Sequence, residues 1–307
     1  MQTAYYTHPL CQKHLNGKHH PECPERISAI EDQLIASGLL DYLQHHQATA
    51  VTREQLLRVH DGDYLDRIVS MIPERGIVQI DGDTALNPFT WEAALQAAGA
   101  VVAAVDLVMT GTVENAFCNI RPPGHHAERA QAMGFCILNN VAIGAAHALA
   151  KHGLQRVAIV DFDVHHGNGT EEIFANHPQV MLCSTFQHPF YPHCGADSGN
   201  EHIINIPLPA GTRGEGFRTA VSEQLLPALD AFQPEMLFIS AGFDAHRDDD
   251  MSMTGLIEAD YAWITHELKR LAEKHAHGRI VSVLEGGYEL HALGRSVMVH
   301  IKALGGL

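Results

Sequence analysis

The chain has 307 residues, and its 36 acidic side chains outnumber its 20 Lys and Arg, which gives a formal charge of −16 with neutral histidine. This excess of acid disfavours nonspecific binding to nucleic acid or to an anionic membrane, and it suits a cationic substrate. No change in composition and no low-complexity segment divides the chain, so we expect a single α/β domain over residues 1–307.

The six cysteines contain no C-x-x-C pair and show no dense disulfide-like spacing, which predicts reduced thiols in an intracellular protein. The first residues lack the pattern of a signal peptide, and no run reaches the roughly 18 apolar residues of a membrane span. We therefore expect a cytoplasmic protein without a membrane or nucleic-acid partner. The oligomeric state stays open.

The first third of the chain predicts one strand followed by helices. The strand covers Ala4 to Tyr6, and a loop rich in histidine and cysteine follows it, with a spacing that fits no standard zinc finger. A helix from Pro24 to Leu40 should pack through the apolar residues Ile27, Ile30, Leu34 and Ile35. The next segments predict an interrupted helix, a loop and a long helix, at 52–69, 80–87 and 90–110.

The rest of the chain alternates between strands and helices. Short apolar runs rich in β-branched residues predict strands at 116–120, 157–160, 180–184, 203–206, 236–240 and 280–284. Apolar residues at helical spacing predict helices at 139–152, 169–176, 214–232, 258–275 and 290–304. This alternation predicts a doubly wound, mainly parallel sheet with helices on both faces.

The strand at 157–160 ends in a cluster of acids and imidazoles within the sequence RVAIVDFDVHHGNGT, residues 156–170. Because alternate residues of an extended segment point the same way, Asp161, Asp163 and His165 can face one side. Carboxylate and imidazole without thiolate suit Zn²⁺, Fe²⁺ or Mn²⁺. From this motif alone, a catalytic metal site and a solvated turn with satisfied histidines are equally good interpretations.

Three further strands end in polar residues. The strand at 116–120 leads into RPPGHHA, where two prolines and a glycine fix a rigid turn that presents His125 and His126, an arrangement suited to proton transfer. The strand at 236–240 leads to Asp244, and the strand at 280–284 leads to Tyr288. The carboxyl ends of parallel strands meet at one edge of a sheet, so these groups can lie along the same edge.

The chain resembles the histone deacetylase family in four ordered segments: RPPGHHA at 121–127, DFDVHHGNG at 161–169, AGFDAH at 241–246 and EGGY at 285–288. The similarity is to the class II-like group of bacterial deacetylase-like amidohydrolases and acetylpolyamine amidohydrolases. It extends from HPECPER near the start to the final helix. The resemblance implies the arginase/deacetylase fold and one catalytic Zn²⁺ bound by Asp163, His165 and Asp244.

The resemblance also implies the roles of other residues in hydrolysing an N-acyl amide such as acetyl-lysine. His126 would be the general base, with His125 supporting the charge and Asp161 behind it. The hydroxyl of Tyr288 would donate to the oxyanion. The walls of the acyl-lysine channel would be Gly134, Phe135, Tyr191 and Gly287. A structural K⁺ would lie near Asp161, Asp163, His165, Ser184 and Thr185.

Two departures from the family pattern affect mechanism and substrate. Asn168 stands where class I members have Asp, so the partner of His126 is neutral and the pKa of His126 would be raised less. Met251 stands where polyamine-selective relatives tend to have Glu, although Asp248, Asp249 and Asp250 precede it. Acylated lysine, acetylpolyamines and other small acylated amines therefore all stay open as substrates.

Two other functions are compatible with parts of the pattern. An arginase-like ureohydrolase shares the fold, but its second metal would need more carboxylates than Asp244 flanked by Ala245 and His246 provides. A noncatalytic acyl-binding protein would be expected to have lost Tyr288 or one of the paired histidines. The sequence thus favours a metal-dependent deacetylase or amidohydrolase.

Overall fold

The computed structural model describes residues 3–307, which contain a central sheet of eight parallel strands. The strands in chain order are β1 (Thr3–Thr7), β2 (Gln44–Gln47), β3 (Val78–Gln79), β4 (Ala85–Leu86), β5 (Asn115–Cys118), β6 (Val157–Asp161), β7 (Val180–Gln187), β8 (Ile203–Leu208), β9 (Met236–Ala241) and β10 (Ile280–Leu284). The order in the sheet is β2-β1-β5-β10-β9-β6-β7-β8, and β3 pairs with β4 in a separate antiparallel hairpin.

Helices cover both faces of the sheet. They are α1 (Glu25–Ala36), α2 (Arg53–Leu56), α3 (Gly62–Met71), α4 (Thr90–Met109), α5 (Asn140–His152), α6 (Asn168–Phe174), α7 (Gly214–Ala220), α8 (Leu226–Phe232), α9 (Glu258–His275) and α10 (Leu290–Gly305). Short 3-10 turns occupy Pro9–Gln12 and Leu39–Tyr42.

The sheet separates two hydrophobic cores. Along β6, Val157 and Ile159 join the core under α4 and α5, whereas Ala158 and Val160 join the core under α1, α9 and α10. A strand covered on both faces is buried at successive positions, which is why Val157 to Val160 form a continuous apolar run before Asp161 instead of an alternating pattern. The predicted doubly wound, mainly parallel α/β sheet is confirmed.

Helix α4 is apolar enough to resemble a membrane span, which we did not expect from the sequence. By length and composition its 20 residues could cross a membrane. They do not form one uninterrupted apolar run, because Glu92, Gln96 and Asp106 lie within the helix. In the structure most of the helix is buried, and Ala97 and Val101 are fully enclosed in the core beside α5. Such a position is typical of the central helix of a sheet-flanking layer.

Several elements differ from the sequence expectation. Helix α1 ends at Ala36, because Gly38 takes a left-handed conformation with φ of 70°, and Ile35 is exposed instead of packed. The polar edge strand β2 was not predicted, and the β3–β4 hairpin replaces an expected loop. The helix expected over 214–232 is interrupted by a π-helical turn at Val221–Leu225, just before Pro227, which has no amide hydrogen to donate.

Candidate active site

Four adjacent strands supply the polar residues predicted at the strand ends. In the sheet order, β5, β10, β9 and β6 are consecutive, and their carboxyl ends lead to His125, Tyr288, Asp244 and Asp163 respectively. Because all four strands are parallel, these residues emerge at one edge of the sheet. The topology therefore brings together segments that are up to about half the chain apart.

Asp163, His165 and Asp244 form a buried cluster at this edge. His165 Nδ1 lies 3.1 Å from Asp163 Oδ1 and 3.1 Å from Asp244 Oδ2, and one ligand atom from each of the three residues falls within 4.8 Å of the others. Two carboxylates and one imidazole, with no thiolate, form a donor set that suits Zn²⁺ and leaves coordination positions for water and substrate.

Backbone amides fix the orientation of both carboxylates. Asp163 Oδ2 accepts from the amide of Gly286 at 2.8 Å, and Asp244 Oδ1 accepts from the amide of Val164 at 3.0 Å. Gly286 also leaves the space they need, since a Cβ there would lie 2.1 Å from Asp244 Oδ2 and 2.6 Å from Asp163 Oδ2. The segment EGGY thus shapes the cluster of candidate ligands and also supplies Tyr288.

The cluster is short of positive charge. Burial, and then repulsion from Asp163, raise the pKa of Asp244 to about 7. Burial acts against the cation at His165, but hydrogen bonds to Asp163 and Asp244 raise its pKa to about 10. The two enclosed carboxylates thus stabilise a proton on the imidazole. A divalent cation bound in place of that proton would neutralise their negative charge. The residues present therefore fit a zinc ion.

The paired histidines lie beside this cluster and have different partners. His125 Nδ1 donates to Asp161 Oδ2 at 2.9 Å, whereas His126 Nδ1 lies 2.8 Å from Asn168 Oδ1. Burial opposes the charge on His125, but Asp161 and Asp163 overcome it and raise its pKa to about 10. Burial, together with repulsion from His125, lowers the pKa of His126 well below its usual value.

The environment of Asn168 determines which nitrogen of His126 carries the proton. The Asn168 amide nitrogen donates to Glu128 Oε1 at 2.9 Å and to Met133 Sδ at 3.3 Å, so its oxygen must face His126. An amide oxygen can only accept, which assigns the proton of neutral His126 to Nδ1. The Nε2 atom then has a free lone pair, as a general base requires.

Two buried residues that were assigned no role from the sequence hold the loops that carry the paired histidines and Tyr288. Glu285 Oε2 accepts from the amides of Gly124 at 2.7 Å and His125 at 3.1 Å. Arg26 Nε donates to the carbonyl of Gly287 at 2.6 Å, and its guanidinium lies 5.0 Å from the centre of the Tyr288 ring. Both residues belong to segments that carry the family resemblance, but no local pattern indicated these long-range contacts.

A cavity of about 340 Å³ opens above the cluster. Its aromatic walls include the expected Phe135 and Tyr191, and also Phe190, which stacks on His165 at 5.5 Å. Tyr288 lines the cavity 5.9 Å from Phe135, measured between ring centres. The other lining residues are Asp83, His126, Gly134, His165, Asp250 and Met251.

The two glycines expected in the channel have different positions. Gly134 lines the cavity with φ of 56°, and a Cβ there would lie 2.4 Å from His126 Cδ2. Gly287, with φ of 117°, is not among the lining residues, and a Cβ there would lie 2.8 Å from Leu293. Gly134 therefore leaves room for the imidazole, whereas Gly287 leaves room for core packing behind Tyr288.

Of the residues expected near K⁺, Asp163 and His165 belong to the cluster itself, and the other three are Asp161, Ser184 and Thr185. Asp161 is paired with Ser184 across β6 and β7, and Thr185 follows in β7. All three side chains are buried. The Ser184 hydroxyl lies 3.3 Å from Nδ1 of His166. The positions named from the resemblance are thus adjacent in space.

Comparison with known proteins agrees with this geometry. Residues 20–304 match the model of the histone deacetylase domain. The chain is 35% identical to a histone deacetylase-like amidohydrolase of Pseudomonas aeruginosa over 94% of this chain and 82% of that protein. It is 37% identical to human polyamine deacetylase HDAC10 over 92% of this chain and 45% of that longer protein.

The fold has a solved counterpart. The crystal structure of the HDA15 HD domain superposes with a TM-score of 0.93 at 34% identity, covering 99% of this chain and 88% of that one. The expected arginase/deacetylase fold, with its parallel sheet between two helical layers, is therefore confirmed.

Proposed function

The chain belongs to the histone deacetylase family, a family of deacetylases and amidohydrolases, and on this basis we propose that it hydrolyses the acyl amide of acetyl-lysine at a single zinc ion. The observation that carries the proposal is the position of the His126 imidazole beside a buried cluster of three candidate metal ligands at an aromatic cavity.

Asp163, His165 and Asp244 would hold the zinc ion. When bound, zinc supplies Lewis acidity that polarises the acyl carbonyl and lowers the pKa of water. The same three residues provide one ion with two anionic ligands and one neutral ligand, and the amides of Gly286 and Val164 keep both carboxylates in place.

His126 Nε2 would take the proton of the attacking water and return it to the leaving amine. Its low pKa keeps it free to accept near neutrality, and Asn168 holds it in the required tautomer. His125, cationic beside Asp161, would stabilise negative charge as the water attacks. The two adjacent rings, 4.0 Å apart between centres, would therefore have different functions because their partners differ.

The hydroxyl of Tyr288 would donate a hydrogen bond to the oxygen of the tetrahedral adduct. Burial keeps its pKa well above the usual value, so the hydroxyl stays protonated and able to donate. Arg26 holds the carbonyl of Gly287 and stacks on the Tyr288 ring, which limits the movement of this donor. Preorganisation of this kind is what makes an oxyanion donor effective.

The cavity favours a methylene chain that ends in an acyl amide. Phe135 and Tyr191 provide apolar walls, and Met251 is a further apolar residue of the lining. The carboxylates of Asp83 and Asp250 also line the cavity, and this observation favours an acetylpolyamine as the alternative substrate, since its second amine is cationic.

A panel of substrates tests this proposal. The kcat/KM values of an acetyl-lysine peptide, an N-acetylated polyamine and a neutral acetamide should be highest for the peptide. Met251→Glu should shift the preference toward the polyamine. Met253 is exposed and lies outside the cavity lining, so Met253→Glu should leave the preference unchanged. A polyamine preference in the wild type would overturn the lysine assignment, and hydrolysis of none of the three would overturn the proposed function.

Three further expectations belong to the same proposal. The buried oxygens of Asp161, Ser184 and Thr185 support a structural K⁺ behind the zinc ligands. The eight-stranded sheet, whose strands run from β1 to β10 of the described chain, supports one catalytic domain over residues 1–307. The six free cysteines support a reducing, cytoplasmic location.

A further inference from the structure

A second group of metal-binding side chains lies between α4 and the C-terminal end of α5. His147 Nε2 and His152 Nε2 lie 2.8 Å and 2.7 Å from Asp106 Oδ1. Two groups within residues 3–307 contain at least three His, Cys, Asp or Glu side chains whose donor atoms all lie within 4.8 Å of one another. One is the candidate active site and the other is this group. We propose that Asp106, His147 and His152 bind a divalent transition metal, with Zn²⁺ as the best match.

The donor types select this class of metal. Two imidazoles and a carboxylate suit borderline ions such as Zn²⁺, Ni²⁺ and Cu²⁺, whereas Mg²⁺ and Ca²⁺ prefer oxygen alone. With metal–ligand bonds of about 2.0–2.1 Å, tetrahedral ligands lie roughly 3.3 Å apart. The present distances of 2.7 to 2.8 Å from Asp106 to the two imidazoles therefore need to open only by about half an ångström, which small side-chain rotations allow.

The site is reachable from solvent and already favours a cation. The side chain of His152 is 20% exposed and that of Asp106 is 49% exposed, so an ion needs no tunnel to enter. His152 is in the last turn of α5, where the free carbonyls of a helix end attract positive charge. The two imidazole nitrogens already converge on one oxygen of Asp106, so the three donors are gathered at one point.

Arg58 favours the tautomer of His147 that cannot bind a metal through Nε2. Its guanidinium lies 3.2 Å from His147 Nδ1, and since a guanidinium can only donate, the proton of neutral His147 is on Nε2 and points at Asp106. A metal on Nε2 needs this proton on Nδ1, so Arg58 must turn away. It can do so because its side chain is 25% exposed and otherwise pairs with the exposed Glu54 at 2.9 Å.

The experiment is a zinc titration of the purified protein after it has been stripped with a chelator. The Asp163→Asn background removes a ligand of the candidate active site, so the zinc that remains is assigned to the second site. We expect one zinc per chain in this background and none after adding His152→Gln or Asp106→Asn. His275→Gln is the matched control, because His275 lies 2.8 Å from Asp230 with no second imidazole, and it should lose no zinc.

Arg58→Gln gives a readout that a purely structural hydrogen-bond cluster would not. It removes the charged donor at Nδ1 and leaves the neutral amide of Gln55 at 3.5 Å, whose oxygen can accept from a protonated Nδ1. Zinc should therefore bind roughly tenfold more tightly, the size of effect expected from an outer-shell contact to a ligand. Zinc should also raise the Tm of the Asp163→Asn protein but not that of Asp163→Asn/His152→Gln, because the metal links α4 to α5. Equal zinc binding in the His152→Gln and His275→Gln proteins would overturn the proposal, as would weaker binding by Arg58→Gln.

Discussion

Replacing Asn168 by aspartate tests how the protein sets the basicity of His126. His126 Nδ1 lies 2.8 Å from Asn168 Oδ1, so the substitution places a carboxylate where a neutral amide now accepts. Two unit charges about 4 Å apart at an effective dielectric constant of about 20 interact by about 4 kcal/mol, or roughly 3 pKa units. Competing solvation reduces this value, so we expect the pKa of His126 to rise by roughly 1–3 units.

Glu128 complicates the single substitution and provides its control. Its carboxylate now accepts from the Asn168 amide at 2.9 Å, and it would repel an aspartate in the same place, which would keep that aspartate partly protonated. Asn168→Asp combined with Glu128→Gln restores a donor at this contact. The double variant should therefore show the larger shift, and Glu128→Gln alone should show little.

The assay is the pH profile of kcat/KM with an acetyl-lysine peptide. The base must be unprotonated, so activity is lost as the pH falls through the pKa of His126, and raising this pKa moves the acid limb to higher pH. The limb should move upward by roughly 1–3 units in the double variant. A limb that does not move in a folded double variant would refute this role for His126, or would mean that the paired imidazoles titrate as one unit.

Four other substitutions test individual contacts. Tyr288→Phe should lower kcat by roughly 10²-fold or more with folding and zinc content intact, as expected for a lost oxyanion donor; an unchanged kcat with a raised KM would make Tyr288 a substrate-binding residue. Gly286→Ala should abolish zinc binding at the active site, because its Cβ would overlap Asp244, and normal zinc content would contradict this. His126→Ala should lower kcat/KM more than His125→Ala, and the reverse order would exchange their roles.

The strand ends could be predicted from sequence because they depend on local chemistry. The apolar run of β6 stops abruptly at acids and imidazoles, and parallel topology brings such ends to one edge. Sequence alone left the interpretation of that cluster open, and only the family resemblance named the ligands. The structure then places Asp163, His165 and Asp244 within one cluster.

The contacts that tune the site could not be predicted, because they join distant segments. The tautomer of His126 depends on Glu128 and Met133, which hold the amide of Asn168. Glu285 holds the loop of the paired histidines and Arg26 holds the loop of Tyr288, each from another part of the chain. Ile35 matched the helical spacing but is exposed, because periodicity cannot tell where the packed stripe of a helix ends.

The loss of one aspartate tests the central claim most directly. Asp244→Asn retains the size of the side chain but removes an anionic ligand, whereas Asp248→Asn makes the same change at an exposed residue of the same loop. Zinc content and hydrolysis of an acetyl-lysine peptide should be measured on both variants. We expect Asp244→Asn to lose one zinc per chain and its activity, and Asp248→Asn to keep both. Wild-type turnover by a folded Asp244→Asn protein would contradict a catalytic zinc at this site.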